Sequence, residues 1–174
     1  MKQSHFRSLL AAAAKAIGST VAILALLAAP VAMQAQSVTL YGALSNFDVV
    51  NDTGGEVHGF EIEFRGSTGA TSYYNWNRYG PPKVVPFSGG VYVRWMSPYD
   101  PASQTFVTGT PQAVHPTFMT GHQCIMNSVG YATSGCEHFG LTSTGASTAI
   151  IYRWMVADPA NPGQLITYGS TTSV

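Results

Sequence analysis

The chain has 174 residues with eight basic and eight acidic side chains, and only 9% of it is charged while 45% is hydrophobic. That balance lacks the basic excess of a nucleic-acid-binding or anionic-membrane-binding surface, and an aromatic content of 11% excludes a disordered chain. Eighteen glycines and ten prolines suit a β-rich domain with many turns.

Residues 1–35 have the pattern of a secretory signal peptide. Lys2, Arg7 and Lys15 form a basic start, Ala16–Ala32 is an apolar helix-forming stretch, and Pro30 precedes a cleavage point after Ala35. Residues 36–174 then form one domain, with five basic against eight acidic residues and a formal charge of −3. No later run of about 18 apolar residues is present to cross a membrane as a helix, and no cysteine follows the cleavage region to carry a lipid. The expected location is secreted or periplasmic, with cell-surface association as an extension of it.

In chain order, Val38–Leu44 is the first expected strand. Asn46–Arg65 is expected as a β-hairpin: Phe47 and Val49 alternate with polar residues, Asp52-Thr53-Gly54-Gly55 supplies the turn, and Phe60, Ile62 and Phe64 alternate with Glu61 and Glu63. The phenylalanines and Ile62 should enter the core while both glutamates face water. Asp48, Asn51, Asp52 and Glu56 do not match a calcium loop and are assigned to turn formation. Further strands are expected at Thr71–Trp76, Val91–Met96, Gln104–Thr108, Ala149–Val156 and Leu165–Tyr168, with the prolines in connections or at sheet edges. Many short strands with frequent turns indicate an all-β, antiparallel sandwich. Two segments echo one another, Val91-Tyr92-Val93-Arg94-Trp95-Met96 and Ile150-Ile151-Tyr152-Arg153-Trp154-Met155, each followed by Asp-Pro-Ala. They read as equivalent strands that place a tryptophan on the core face and an arginine on the other.

Cys124 and Cys136 are the only cysteines, and in an exported chain the simplest reading is a disulfide closing a short loop. His122 and His138 flank them in a mirrored His-x-Cys and Cys-x-His pattern, which leaves open a zinc held by two thiolates and two imidazoles or, with the disulfide kept, a metal or acid–base site built from His122, His138 and Glu137. No Gly-x-Ser-x-Gly elbow, phosphate loop or dinucleotide fingerprint occurs, so no catalytic residue and no cofactor is assigned. The aromatic run Tyr73-Tyr74-Asn75-Trp76-Asn77-Arg78-Tyr79 is the candidate recognition surface, with Tyr73, Trp76, Arg78 and Tyr79 offered to a glycan or another cell-surface component. The competing reading puts Tyr74 and Trp76 in the core and leaves Tyr73 and Tyr79 at an edge.

The start of the mature chain, Gln36-Ser37-Val38-Thr39-Leu40-Tyr41-Gly42, resembles the first strand of Gram-negative general porins over those residues alone. A broader pattern joins Asn46-Phe47-Asp48, Asn51, Thr53-Gly54, Gly59-Phe60-Glu61-Ile62-Glu63, Gly121-His122, Cys124, Gly135-Cys136-Glu137-His138-Phe139-Gly140, Arg153-Trp154 and Asp158. In these positions the chain is similar to a group of uncharacterised secreted bacterial proteins, a resemblance that implies export but brings no activity. The function expected from the sequence is therefore a non-catalytic binding or surface-associated module. The alternative is a metal-dependent hydrolase using His122, His138 and Glu137.

Overall fold

Short alternating segments bounded by turn residues become eleven β-strands in the computed structural model, which describes residues 38–75, 78–113, 124 and 135–173. These residues belong to the unit Met33–Val174, and the expected signal peptide lies outside the described residues. The strands are β1 (Thr39–Ala43), β2 (Asn46–Val50), β3 (Gly59–Arg65), β4 (Gly69–Asn75), β5 (Lys83–Phe87), β6 (Gly90–Met96), β7 (Tyr99–Asp100), β8 (Thr105–Phe106), β9 (Cys136–Thr144), β10 (Ala149–Ala157) and β11 (Leu165–Ser173). No helix occurs among the described residues.

All pairings are antiparallel. One sheet has the order β1-β2-β9-β4, a second has β11-β10-β3-β6-β5, and β7-β8 form a small hairpin. The inner faces of the two large sheets meet in one core. Phe47, Val49, Phe139 and Leu141 from the first sheet pack with Phe60, Ile62, Phe64, Val93, Trp95, Tyr152 and Trp154 from the second. Phe60 and Phe139 stack across the layers at 4.8 Å between ring centroids, and Trp95 lies 4.8 Å from Phe139. Full burial of each large apolar side chain contributes about 1.5–3 kcal/mol, so this layer sets the fold. The all-β antiparallel sandwich expected from the alternation is the observed architecture.

The segment Asn46–Arg65 is a correction to the sequence reading. It is an arch and not a hairpin: β2 pairs with β1 and β9, whereas β3 pairs with β6 and β10 in the opposite sheet. Asn51 explains the difference. Its side-chain amide donates to the carbonyls of Gly55, Thr110 and Pro111, and Val57 and Thr110 pair through their backbones. The turn is thus anchored to a distant loop, and β3 is carried across to the second layer. The segment from β9 to β10 also crosses between sheets, so residues 46–65 and 136–157 form two arches that pair strand for strand, β2 with β9 and β3 with β10.

The second correction concerns the glutamates. Glu61 and Glu63 do lie on the face opposite the core, but they are only 2% and 4% exposed. Arg94 and Arg153 stand directly across from Glu61 on the two flanking strands and bond to it at 2.7 and 2.8 Å, and Arg153 also reaches Glu63 at 2.7 Å. The echoing segments are therefore the two neighbours of β3. In register, each sets its tryptophan opposite Phe60 and its arginine opposite Glu61.

Candidate functional site

The outer face of the five-stranded sheet reads as rows across the strands. One row is Met155–Gly59–Met96, and the next is Arg153–Glu61–Arg94–Lys83. Gly59 is closely packed between the two methionines: a Cβ there would come within 2.5 Å of the Trp95 carbonyl oxygen and 3.4 Å of Met155 Cβ. Above this floor the β7-β8 hairpin brings Tyr99 and Phe106, and the turn before β11 brings Gly163 and Gln164. The result is a cleft of about 900 Å³, also lined by Lys83, Arg94, Leu165 and Thr167. Its size falls within the range of ligand pockets.

Arg94 is fixed in this cleft. Its Nε donates to Glu61, its guanidinium lies 4.6 Å from the centre of the Tyr92 ring, and its side chain stays 30% exposed. Lys83, its cross-strand partner, is exposed. A smaller cavity of about 400 Å³ lies beyond the Tyr99 and Phe106 wall and has the opposite character, with Glu56 and Asp158 among its lining residues. There His58 stacks on Phe106 at 4.7 Å, and Asp158 caps its own turn through the Ala160 N–H and the Asn161 amide. Those two bonds hold its carboxyl below the usual range. Asp100 makes the matching turn with Ser103 and the Ala102 N–H and is lowered in the same way.

The expected aromatic recognition surface divides. Tyr73 and Tyr74 are 39% and 46% exposed on β4, and Tyr73 donates its hydroxyl to the Ala70 carbonyl. Trp76 lies outside the described residues. Tyr79, expected as an edge or surface residue, is buried, and its hydroxyl bonds to Thr110 Oγ1 and donates to the Val57 carbonyl. Arg78 turns inward as well, pairing with Glu137 and donating to the Gly109 carbonyl at 2.7 Å. A bulge explains the exposure of Tyr74. The pairing of β4 with β9 shifts between Thr71 and Tyr74, with Ser72 at φ 54°, so the strand parity assumed from the sequence fails there. Tyr74 is therefore exposed and not a core residue.

Cys124 and Cys136 form the expected disulfide, with Cα atoms 5.9 Å apart. Such a bridge belongs to an oxidising compartment. It sits beside a buried pair: His138 Nδ1 is 2.5 Å from Asp48 Oδ1, while Asp48 Oδ2 accepts the Cys124 backbone N–H at 2.6 Å. The Tyr74 and His138 rings pack in a T-shape with centroids 5.3 Å apart. Glu137 points to the opposite face of β9, where it accepts the Thr110 hydroxyl at 2.6 Å and pairs with Arg78. Adjacent strand residues face opposite ways, so Glu137 and His138 do not converge on one ion. His122 lies outside the described residues. Among the described residues no group of three or more His, Cys, Asp or Glu side chains is gathered to hold a metal.

No family model, curated protein or solved structure matches this chain. Sequence reasoning missed Lys83, Met96, Tyr99 and Phe106 as site residues because their convergence depends on strand pairing. The available sign was Arg94, which alternation had already placed on the outer face.

Proposed function

We propose that this protein is an exported, non-catalytic binding module that engages a glycan or other cell-surface component through the cleft on the outer face of its five-stranded sheet. The cleft is the observation that carries the reading. It combines a fixed arginine, an exposed lysine, methionine flooring and aromatic walls, a mixture suited to holding a ligand. The leader pattern and the disulfide support export to the periplasm or beyond. The buried polar groups Asp48, Glu61, Glu137 and His138 are each engaged in bonds that brace the fold, which favours binding over the hydrolase alternative.

The test is a binding screen of the exported, oxidised protein against glycan arrays and isolated envelope fractions. It is repeated with Thr167→Trp, which places a large ring in the cleft from the exposed position 167 on β11. Saturable binding that is lost in Thr167→Trp, with an unchanged melting temperature, is the expected result. Binding that survives this variant, or metal-dependent turnover of an ester or amide panel, would overturn the reading.

A further inference from the structure

The charges of this domain are unevenly placed. From residue 38 onward there are five basic residues, and four of them, Arg65, Lys83, Arg94 and Arg153, stand on the outer face of the five-stranded sheet or pair with its glutamates. The fifth, Arg78, is paired with Glu137. Glu61 and Glu63 are shared among Arg65, Arg94 and Arg153, which leaves that face with an excess of two positive charges in a domain whose formal charge is −3.

The excess is focused where the cleft is. Lys83 and Arg94 both line it, and no acidic residue does. They are also direct cross-strand partners, and like charges in that arrangement repel. Nothing among the described residues relieves the repulsion on the Lys83 side. An anion held between the two side chains would do so, and the guanidinium is already positioned by Glu61 and the Tyr92 ring to meet it. Beside the cations the lining includes Met96, Met155, Leu165, Tyr99 and Phe106, with Ser97, Gln164 and Thr167 as its uncharged polar side chains. Apolar and aromatic side chains outnumber these three, which suits an alkyl or aryl body better than a sugar.

We propose that the cleft selects an anionic amphiphile, a carboxylate or phosphate joined to an apolar body, with the anion between Lys83 and Arg94 and the body over Met96 and Met155. This rests on the reading of the cleft as the binding site and narrows its ligand class. The same chemistry is presented by a free fatty acid and by an anionic lipid headgroup at a surface.

The experiment is calorimetric titration of the exported, oxidised protein with dodecanoate, dodecyl phosphate and neutral dodecyl maltoside, all below micelle formation. Sedimentation with phosphatidylglycerol and phosphatidylcholine vesicles runs alongside. Expected are binding of both anions, at least about tenfold weaker binding of the maltoside, and weakening by salt. Lys83→Ala should lower anion affinity about tenfold without moving the melting temperature, because Lys83 is exposed. Sedimentation with phosphatidylglycerol but not phosphatidylcholine would support the proposal with a headgroup as the source, and binding of free dodecanoate without sedimentation would support it with a soluble ligand. Equal binding of anion and maltoside, lost in Thr167→Trp, would overturn the charge selection and leave the cleft as a binding site. No binding of any amphiphile or vesicle would overturn the proposal. If glycan or envelope binding were still lost in Thr167→Trp, the broader reading would stand.

Discussion

Replacing Glu61 with glutamine tests the charged layer over the outer sheet face. The carboxylate is 2% exposed and accepts from Arg94 at 2.7 Å and Arg153 at 2.8 Å. Each charge-assisted bond of this kind is worth about 1.5–3 kcal/mol, giving an upper bound of roughly 6 kcal/mol for the two. The arginine side chains are 30% and 20% exposed, so water recovers part of that loss, and Arg153 keeps Glu63. The amide retains one acceptor but turns its NH2 toward a guanidinium. We expect a net loss of about 2–3 kcal/mol, equivalent to a fall of roughly 10 °C in melting temperature for a domain of this size. Urea unfolding followed by the fluorescence of Trp95 and Trp154, which sit opposite Phe60, reads the change directly. A loss under about 0.5 kcal/mol, as for a solvated surface glutamate, would refute the argument that Glu61 is the keystone of this layer. A coupling below about 0.5 kcal/mol in the cycle with Arg94→Met would do the same.

Burial pushes the Glu63 carboxyl up, but the bonds from Arg65 and Arg153 outweigh it and hold the group below its ordinary value of 4.5. Its contribution to stability is then full above about pH 4.5 and is lost as pH falls through the lower folded value. Wild type and Glu63→Gln should converge in stability on acidification, and a pH-independent gap in urea titrations would contradict this. Removing the disulfide with Cys124→Ser and Cys136→Ser opens a loop of separation 12 and should cost about 3 kcal/mol; a thermal melt showing less than 1 kcal/mol would count against a bracing role. The two tryptophans should differ. Trp154 Nε1 donates to the Val50 carbonyl at 3.0 Å, while the buried Trp95 Nε1 has no partner among the described residues. Trp154→Phe should therefore cost about 1 kcal/mol more than Trp95→Phe, and equal losses in chemical denaturation would refute the difference.

Strand positions were largely legible, because alternation marks a buried face whatever the strand pairs with. Val91–Met96 and Ala149–Val156 lie within β6 and β10. Pairing partners were not legible. The Asp52–Gly55 turn has the same local chemistry in a hairpin as in an arch, and the choice is made by Asn51 reaching Thr110 and Pro111, 59 and 60 residues away. Glu61 and Glu63 show a similar limit: polar alternation looks the same whether water or arginine covers the face. Strand β5 was missed because Pro86 interrupts it, and it is tolerated because β5 is an edge. Strand β9 was missed because its glycine, histidine and threonines lack the usual β-rich signal. The cleft residues lie on six strands, β5, β6, β7, β8, β10 and β11, and only the pairing of those strands brings them together.

The two interlocked arches also fix the order in which the molecule can be built. Asp48 waits for His138, 90 residues later, and Glu61 waits for Arg153, 92 residues later. Neither large sheet can close until the last quarter of the chain is available. Folding is thus dominated by non-local contacts and should be slow. A chain threaded through a membrane pore amino end first would stay without its core until nearly all of it had passed. Until then β2 lacks β9 and β3 lacks β10, so Phe47, Phe60 and Phe64 wait for the strands that complete their sheets.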